Sequence, residues 1–564
     1  KIERMLSLLS FALSLSDVKS LDFSGKGFGY GIQRLKDHNY KMNIQADTEC
    51  TNVQEYRYTQ AVIDNFAPLN EQQFWDGEGQ RYWINEELWG GVGYPIFVFI
   101  GGEWVESCRR LTSSQYMYEL ATTHKGLLVD VEHRFYGYSY PTTDTSLSNL
   151  QYLSAEQGLA DLARIIAFVK QTYNTESSKV ITVGGSYTGN LAAWFKAIYP
   201  HLSDGSISSS GPLTAKTNFS EYMDVVNDAM IYYSGQSCVD SFTTAAESVA
   251  SLYSQGVGSD GYKQLDTDFA TCAPMQSEND LTILLSDLMG NIQGTAQYNA
   301  QQDDVMTVAD ICSIMLDETK GATPYDRFVY LAGEYRKSYG VDCEDVSWDN
   351  TVAYLSSTVN DPENSARPWT FQTCNEFGYF QTTDSPNQPF YSWKPLGLQF
   401  YYDLCFEAFN GWNYPPQVDW MNTVYGGTKI AANNIVFSSG SIDPWSALGI
   451  TEDIDKLATT SEIPLFIVGT SHCQDLKAPK STDIPALTAA RQVIADQVNI
   501  WLSDSSNDNK SNNDDDDGGL STDAKIGIAS AVIIVVLGGL ILGVFFVLKR
   551  KSSNDNNSIK TPLV

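Results

Sequence analysis

The sequence predicts an α/β fold in which a largely parallel sheet is interrupted by a long helical insertion. Apolar strands alternate with amphipathic helices between about residues 94 and 200, an order typical of parallel sheets. From about residue 213 to residue 425 the alternation disappears, and the sequence becomes helical and polar with six cysteines. The alternation returns near residue 434. A chain of 564 residues also exceeds one ordinary core, which favours two domains or one large domain with an insertion.

Short apolar runs predict the strands of this sheet. These runs are Tyr94–Ile100, Gly126–Val131, Val180–Val183, Asn434–Ser439 and Pro464–Gly469. Two amphipathic patterns predict helices: one opens at Ser154, a residue suited to the N-cap, and the other covers Pro485–Trp501. The residues that follow each strand are therefore candidates for chemistry at the carboxyl edge of the sheet.

The stretch around Ser186 is the first such candidate. A β-branched run ends at Gly184 and Gly185, the serine lies between glycines as in the Gly-x-Ser-x-Gly pattern, and apolar residues at helical spacing follow. Strand, tight turn and helix in this order are the context of a nucleophile elbow, where a serine stands on a strained turn with its hydroxyl exposed. The pattern alone also fits an ordinary glycine-rich loop, so its interpretation depends on the partners of the serine.

A serine nucleophile needs a general base, and the chain has five histidines. In α/β hydrolases the acid and then the histidine follow the serine, which leaves His201 and His472. His201 closes the helix after the elbow, and this helix carries it away from the carboxyl edge of the sheet. His472 comes just past a predicted strand and is therefore the predicted base.

The acid should follow a strand between these two residues. Asp443 does so, and its role would be to accept the other imidazole N–H and to stabilise the imidazolium. A solvated aspartate in a turn before proline is the alternative for this residue taken alone. Asp475 competes, but three residues from the histidine it is poorly placed to reach the far ring nitrogen. The ordered set of Ser186, Asp443 and His472 predicts an α/β hydrolase.

Seven collinear segments make the sequence resemble the family of prolyl carboxypeptidase, dipeptidyl peptidase II and thymus-specific serine peptidase, over about residues 56 to 501. The segments are Ile100-Gly101-Gly102-Glu103, Glu132-His133-Arg134-Phe135-Tyr136-Gly137, Tyr152-Leu153-Ser154-Ala155-Glu156-Gln157, Gly184-Gly185-Ser186-Tyr187-Thr188-Gly189, Gln372-Thr373-Cys374-Asn375-Glu376-Phe377-Gly378, Gly440-Ser441-Ile442-Asp443-Pro444-Trp445 and Ser471-His472-Cys473. The wording of Gly-Gly-Glu and Gln-Thr-Cys is nearest to the thymus-specific branch.

The resemblance implies an α/β-hydrolase fold with a helical cap and cleavage of short peptides next to proline or small residues. It implies Ser186, Asp443 and His472 as the triad, with the N–H of Tyr187 in the oxyanion hole. The glycine turn upstream of the elbow is where the second oxyanion donor would come from, which makes Gly102 the second predicted oxyanion residue.

The chain has nine cysteines, and if it enters the secretory route, as the N-terminal pattern described below predicts, these imply disulfides with one thiol left over. The resemblance implies that Cys238 pairs with Cys312, Cys272 with Cys343, and Cys374 with Cys405, and exclusion then pairs Cys50 with Cys108. The remaining Cys473 is either a reactive thiol beside the histidine or a small buried filler, and the second interpretation is favoured.

Two residues are predicted to contact substrate. Trp445 matches a family aromatic near the substrate pocket, and plain core packing is the equal alternative. Glu103 is a candidate partner for a substrate ammonium group, although a carboxylate that holds its own loop is the favoured interpretation. A cap over the site would restrict entry to chain ends, which predicts a serine exopeptidase.

Both ends of the chain carry membrane-related patterns. Residues 1–20 are predicted to be a signal peptide, because two basic residues precede an apolar run too short to span a bilayer. Residues 526–548 are apolar, and the basic run Lys549-Arg550-Lys551 follows, which predicts one transmembrane helix with a cytoplasmic tail at 549–564. Residues 503–525 are predicted to form an acidic, solvated stalk.

These patterns predict a single-pass type I membrane protein with its catalytic body in the lumen or outside the cell, whereas family members are typically soluble. The predicted body has hydrolase parts at 21–212 and 426–502 and a helical cap at 213–425. Sequons place candidate glycosylation sites at Asn218 and Asn509. A small-residue pair in the predicted membrane helix allows a homodimer.

A net charge of −32 argues against nucleic acid as a partner, and no cofactor or metal is expected. Peptides are therefore the predicted substrates. Two alternatives remain: an esterase or lipase would share the same elbow and triad, and a catalytically silent, membrane-anchored binding protein would not be an enzyme. The presence of all three triad residues disfavours the second.

Overall fold

The computed structural model of the chain describes residues 50–301, 305–451 and 461–503. The predicted signal peptide, the membrane helix, the cytoplasmic tail, nearly all of the stalk and Asn509 lie outside the described residues. Among the described residues, no helix combines the length and the apolar character that crossing a bilayer requires.

An eight-stranded sheet forms the body of the molecule. Its strands, with a separate two-stranded pair of β7 and β8, are β1 (Val53–Tyr58), β2 (Gln80–Asn85), β3 (Ile96–Ile100), β4 (Leu127–Val131), β5 (Val180–Gly185), β6 (Gly205–Ser209), β7 (Lys216–Asn218), β8 (Gly378–Phe380), β9 (Ile435–Gly440) and β10 (Glu462–Ile467). The order across the sheet is β1-β2-β4-β3-β5-β6-β9-β10. β2 runs antiparallel to both of its neighbours, and the other neighbouring pairs are parallel. This is the strand order of the α/β-hydrolase fold.

Helices cover both faces of the sheet. They are α1 (Tyr116–His124), α2 (Leu147–Leu150), α3 (Ala155–Thr172), α4 (Tyr187–Ile198) and α15 (Pro485–Leu502). Alternate residues of β3 divide between the two faces: Ile96 and Val98 belong to the core with α3 and α4, whereas Phe97 and Phe99 belong to the core with α1 and α15. A strand buried on both faces reads as a continuous apolar run, which explains why the central strands could be predicted.

The strand β6 is absent from the prediction because its sequence, Gly-Ser-Ile-Ser-Ser, holds a single large apolar residue. The structure buries it nonetheless. Ser206 Oγ donates to the Ala192 carbonyl at 3.0 Å and Ser208 Oγ donates to the Gly189 carbonyl at 2.8 Å. These bonds tie the small side chains of β6 to α4, so this helix lies close against the sheet.

A helical insert follows β6 and precedes β9. Its helices are α5 (Glu221–Ser234), α6 (Gln236–Tyr253), α7 (Asp260–Asp268), α8 (Glu278–Gln297), α9 (Val308–Leu316), α10 (Pro324–Tyr339), α11 (Trp348–Ser356), α12 (Ala366–Gln372), α13 (Leu398–Ala408) and α14 (Val418–Tyr425). A π-helical turn at Thr373–Phe377 extends α12. Buried side chains of the insert are continuous with those that cover one face of the sheet, so the insert and that face share one hydrophobic core.

Four disulfides hold the described chain together. Three lie within the insert and join Cys238 to Cys312, Cys272 to Cys343, and Cys374 to Cys405. The fourth joins Cys50 to Cys108 in the body. This pairing agrees with the one that the resemblance and exclusion imply, and it leaves Cys473 as a half-buried thiol.

The predicted glycosylation residue Asn218 lies in β7 and is half-buried. Its amide nitrogen donates to Asp384 at 2.8 Å, and its amide oxygen accepts from the Thr382 hydroxyl at 2.5 Å. Both ends of the amide are engaged with the protein, and glycosylation at this position stays a prediction.

Candidate active site

Ser186 lies at the junction of β5 and α4 in a strained conformation, with φ +64° and ψ −132°. A non-glycine residue in such a region costs about 1–3 kcal/mol and persists only where the surroundings enforce it. Here a Cβ on Gly184 would lie 2.0 Å from the Thr188 carbonyl oxygen, and one on Gly189 would lie 2.6 Å from the Ser209 carbonyl oxygen. The elbow therefore requires glycine at both positions.

The elbow departs from strict Gly-x-Ser-x-Gly spacing, because Thr188 stands two residues after the serine and Gly189 follows it. The Thr188 hydroxyl accepts from the Gly185 N–H at 2.8 Å and donates to the Gly185 carbonyl at 2.9 Å. Thr188 thus closes the turn with two hydrogen bonds at the position where the usual pattern has a glycine.

His472 and Asp443 form a buried pair at the ends of neighbouring strands. His472 Nδ1 lies 2.9 Å from Asp443 Oδ1, and the histidine and the aspartate are 2% and 0% exposed. The same carboxylate oxygen accepts from the Trp445 N–H at 3.0 Å, which orients it. Burial alone would lower the pKa of His472, but the Asp443 carboxylate, with a smaller contribution from Cys473, raises this pKa well above its usual range.

The residues next to Ser186 and His472 bring these two side chains to the same edge of the sheet. A Cβ on Gly185, which precedes the serine, would lie 2.8 Å from Sγ of Cys473, which follows the histidine. The Cys473 N–H donates to Ser210 Oγ at 2.8 Å, so this loop is fixed on the end of β6. Among the described residues, His472 Nε2 makes no hydrogen bond, which leaves it available for a serine proton.

The two rejected candidates are occupied elsewhere. Asp475 is buried, and its two carboxylate oxygens accept from Ser209 Oγ and Ser438 Oγ, each at 2.6 Å. It therefore joins the ends of β6 and β9. His201 is exposed and lies beyond the end of α4, against the ring of Tyr199.

The predicted oxyanion residues lie beside the elbow. Tyr187 is the first residue of α4, and the first N–H groups of a helix have no acceptor within it. A Cβ on Gly102 would lie 2.3 Å from Cγ2 of Thr188, so the Gly102 backbone passes directly over the first turn of α4. The two peptide groups come from different segments of the chain, as an oxyanion hole in this fold requires.

A small pocket of about 60 Å³ opens at Ser186. Its other lining residues are Glu103, Tyr187, Pro212, Gln297, Tyr298, Trp369, Thr373, Tyr379, Gln381 and Trp445. Both residues that the sequence suggested for substrate, Glu103 and Trp445, are among them. One carboxylate and no Lys, Arg or His side chain line this pocket among the described residues. Aromatic rings make up much of its wall.

The insert supports the loop that carries the histidine. The His472 N–H donates to the Gln297 carbonyl at 2.9 Å, at the last residue of α8. Gln301 Nε2 donates to the His472 carbonyl at 2.6 Å and to Ser471 Oγ at 3.0 Å. His472 is therefore held by both parts of the molecule.

Sequence reasoning missed the pocket residues that the insert contributes, such as Gln297, Tyr298 and Gln381. The helical pattern shows which face of α8 is apolar, but it carries no signal for which end of this helix reaches the active site. Thr373 lies in the segment that begins Gln372-Thr373-Cys374, and Trp369 lies three residues before it. This segment carries part of the family resemblance, but its sequence does not indicate a role in the site.

The fold and the side chains at its sheet edge define an α/β hydrolase of the serine type. Residues 61–494 match the model of the serine carboxypeptidase S28 family, and the chain belongs to this family. It is a serine-type peptidase.

Relatives in this family cover most of the chain. Human thymus-specific serine protease is 32% identical over 457 residues, which cover 79% of this chain and 86% of that protein. The mouse protein of the same name is 32% identical over 437 residues, with coverage of 75% and 84%. Lysosomal Pro-X carboxypeptidase of Bos taurus is 27% identical over 468 residues, with coverage of 79% and 88%. Among solved structures, proline iminopeptidase from Mycobacterium smegmatis aligns with a TM-score of 0.31 at 10% identity, covering 75% of this chain and 96% of that chain.

Proposed function

We propose that this chain is a serine exopeptidase that hydrolyses short peptides next to proline or small residues through Ser186, Asp443 and His472. The observation that carries the proposal is the buried hydrogen bond between His472 and Asp443 at the strand ends beside the strained Ser186 elbow. Membership of a serine peptidase family supports the assignment of substrate class.

The proposed reaction is acyl transfer. His472 Nε2 takes the proton of Ser186 Oγ, which attacks the peptide carbonyl carbon, while Asp443 holds the Nδ1–H of the imidazole and stabilises its charge. The N–H groups of Tyr187 and Gly102 stabilise the oxyanion. The imidazolium then gives its proton to the leaving amine, and water hydrolyses the acyl-enzyme through the same base.

The shape of the pocket supports a preference for chain ends and for compact residues. The insert supplies Trp369, Thr373 and Gln381 to its wall, which confines the space in front of Ser186. Flat aromatic faces at Trp369 and Trp445 match a pyrrolidine ring or a small side chain, because such groups bury their whole surface against a ring.

The charge of the pocket lining indicates which end of the peptide is trimmed. Glu103 places a buried carboxylate in the pocket, and the described lining holds no cation to bind a substrate carboxylate. This favours peptides with a free amino end. A carboxypeptidase is the second candidate, since lysosomal Pro-X carboxypeptidase is a relative over most of the chain.

The catalytic proposal is tested with the Ser186→Ala variant. We expect turnover of proline-containing peptides to fall by about 10⁴-fold or more, because the nucleophile is lost while the oxyanion hole remains. Labelling by a fluorophosphonate probe should also be lost, and circular dichroism should stay unchanged. Retained peptidase activity in this variant would refute the assignment, and hydrolysis of acyl esters without any peptide cleavage by the wild type would establish an esterase instead.

The chain-end preference is tested with matched peptides that are acetylated at the amino end or amidated at the carboxyl end. Amino-end trimming predicts that acetylation abolishes cleavage and that amidation does not. The Glu103→Gln variant should then lose about tenfold or more in kcat/KM on free-amine peptides, the scale of a hydrogen bond to a charged group. The reverse pattern, with amidation abolishing cleavage, would establish the carboxypeptidase.

Disulfides indicate an oxidising compartment, and we propose that the catalytic body works in the lumen of the secretory or lysosomal system. The apolar run at 526–548 supports an anchor with this orientation. Extraction of the full chain with alkaline carbonate should leave it in the membrane pellet, and release into the supernatant would rule the anchor out.

A further inference from the structure

A directed chain of buried hydrogen bonds runs from the elbow into the insert. It begins at the Tyr187 hydroxyl, which lies 3.1 Å from His133 Nε2 and 3.1 Å from Gln372 Nε2. Because His133 Nδ1 faces the Arg134 carbonyl at 2.8 Å, that nitrogen must carry the proton, and Nε2 accepts from Tyr187. The amide of Gln372 therefore donates to Tyr187 from the opposite side.

Gln372 is itself fixed in one orientation. Its Oε1 accepts from the Tyr136 hydroxyl at 2.6 Å, and its Nε2 donates to Glu376 Oε2 at 3.2 Å as well as to Tyr187. Every polar atom of this 0% exposed side chain thus has a defined partner. A reversed amide would bring its donors towards the Tyr136 hydroxyl and leave the Tyr187 and Glu376 oxygens without a donor.

Glu376 is the last side chain of this hydrogen-bond chain and connects it to the body of the molecule. Its carboxylate accepts from the N–H of Ala155, the first residue of α3, at 3.0 Å and 3.2 Å. A carboxylate at a helix N-terminus is stabilised by the unpaired N–H groups there. The same insert segment forms the pocket wall through Trp369 and Thr373, and the Trp369 ring lies 5.7 Å from the Tyr187 ring.

We propose that Glu376 and Gln372 are positioning residues of the peptidase, which hold Tyr187 and its oxyanion N–H in register with the insert wall of the pocket. This inference rests on the proposed serine peptidase mechanism. The ionised carboxylate suits the chain because both of its oxygens accept. A neutral carboxyl group or an amide presents a donor to the Ala155 N–H or to the Gln372 amide, and one of these bonds is lost.

The charge state of Glu376 changes within the physiological range. Its pKa is raised to about 7: burial is the main cause, the bonds from Gln372 and Ala155 act in the opposite direction, and Glu156 on α3 adds a smaller increase. The other titratable groups that face it are the hydroxyls of Tyr136, Tyr187, Tyr379 and Tyr425. These stay protonated, since burial raises the pKa of each well above its usual value. Glu376 is therefore ionised above about pH 7 and neutral below it.

The Glu376→Gln variant copies the neutral form and gives the test. At pH 5 its kcat/KM should lie within about twofold of the wild type, and at pH 8.5 it should be about tenfold lower, mainly in kcat, because the oxyanion donor is displaced. The matched control is Glu407→Gln, the same change in an exposed insert carboxylate that accepts from Trp348 Nε1 at 3.0 Å. Its ratio to the wild type should stay near one at both pH values.

A Tyr187→Phe variant checks the chain from its other end. It should lower kcat by about tenfold with KM within about twofold, since the pocket wall remains while the elbow loses both hydroxyl contacts. If the Glu376→Gln ratio were the same at pH 5 and pH 8.5, or if Tyr187→Phe had wild-type kcat, the positioning role would be overturned.

The rate of fluorophosphonate labelling of Ser186 separates this inference from the proposed function, because that reaction needs no peptide. Slower labelling of Glu376→Gln at pH 8.5 alone supports positioning even if every tested peptide resists cleavage. Unchanged labelling at both pH values overturns it, whatever the peptide results show.

Discussion

At the scale of single residues, Gly102 shows how closely the proposed oxyanion segment meets the elbow. A Cβ at this position would lie 2.3 Å from Thr188 Cγ2, while the next nearest atoms, in Trp104 and in Thr188 itself, lie at 3.7 Å and 3.8 Å. One methyl group is therefore the whole obstacle. The hydroxyl of the same threonine closes the elbow turn, so its two branches have separate roles.

This division predicts an activity loss that a second substitution repairs. Gly102→Ala should lower kcat by about 10²-fold, because the added carbon pushes the oxyanion segment off the elbow. Combining it with Thr188→Ser removes the obstructing methyl group and keeps the hydroxyl, so kcat should return to within a few fold of the wild type. Steady-state kinetics on one peptide check both variants, with Thr188→Ser alone as the control. Failure of the double variant to recover would show that Gly102 is needed for another reason.

The three residues proposed for acyl transfer could be singled out in the sequence because each has a signal along the chain. Ser186 follows a β-branched strand, Asp443 and His472 follow later strands, and the order of the three is fixed in this fold. Gln297 has no such signal. Its carbonyl supports His472 through the main chain, and any residue at that position would supply the same atom.

At the scale of elements, the strand β2 escaped prediction because its burial depends on partners rather than on composition. All six residues of β2 are buried, although Gln80, Arg81 and Asn85 read as polar. Arg81 Nη2 lies 2.6 Å from Glu132 Oε1, and a buried arginine is tolerated only with such a partner. The pairing joins residues far apart in sequence, so periodicity within β2 cannot show it.

Two disulfides of the insert join different segments, so removing each should affect stability and kinetics differently. Removing Cys238–Cys312 with a double alanine variant should lower the free energy of unfolding by about 4 kcal/mol, since the loop that it closes spans 74 residues. The bond joins α6 to α9, and neither cysteine lines the pocket, so kcat/KM should stay within about twofold of the wild type. Urea unfolding measures the free energy of unfolding, and peptide kinetics measure kcat/KM.

Removal of Cys374–Cys405 is the matched comparison. Cys374 lies in the π-helical turn between Gln372 and Glu376, so its loss should change the kinetics as well as the stability. Equal kinetic effects from the two double variants would contradict this assignment of roles.

At the scale of the whole molecule, the insert and the body are joined by one continuous set of buried apolar side chains. These extend from Ile96 and Val98 in the sheet through Trp194 in α4 to Phe242 and Trp393 in the insert. The sequence predicted that a helical insert exists. It could not predict how the insert lies on the sheet, because that depends on contacts between segments hundreds of residues apart.

A shared core predicts one cooperative unfolding transition. Near-ultraviolet circular dichroism, tryptophan fluorescence and peptidase activity should change together in a denaturant titration of residues 50–503 with the disulfides intact. Their midpoints should coincide. An earlier midpoint for activity, with most of the fluorescence change still to come, would show that the insert separates from the body before the body unfolds.

The hydrogen bond from the His472 N–H to the Gln297 carbonyl bears on how peptides come and go. If the insert swung away from the sheet, it would take this carbonyl with it, and the base would lose its support whenever the entrance widened. We therefore expect an aperture of constant calibre, through which slender chain ends pass and folded polypeptides do not. The width of the substrate would then be selected before its sequence is recognised. Peptides released by other proteases would therefore be the substrates of this enzyme.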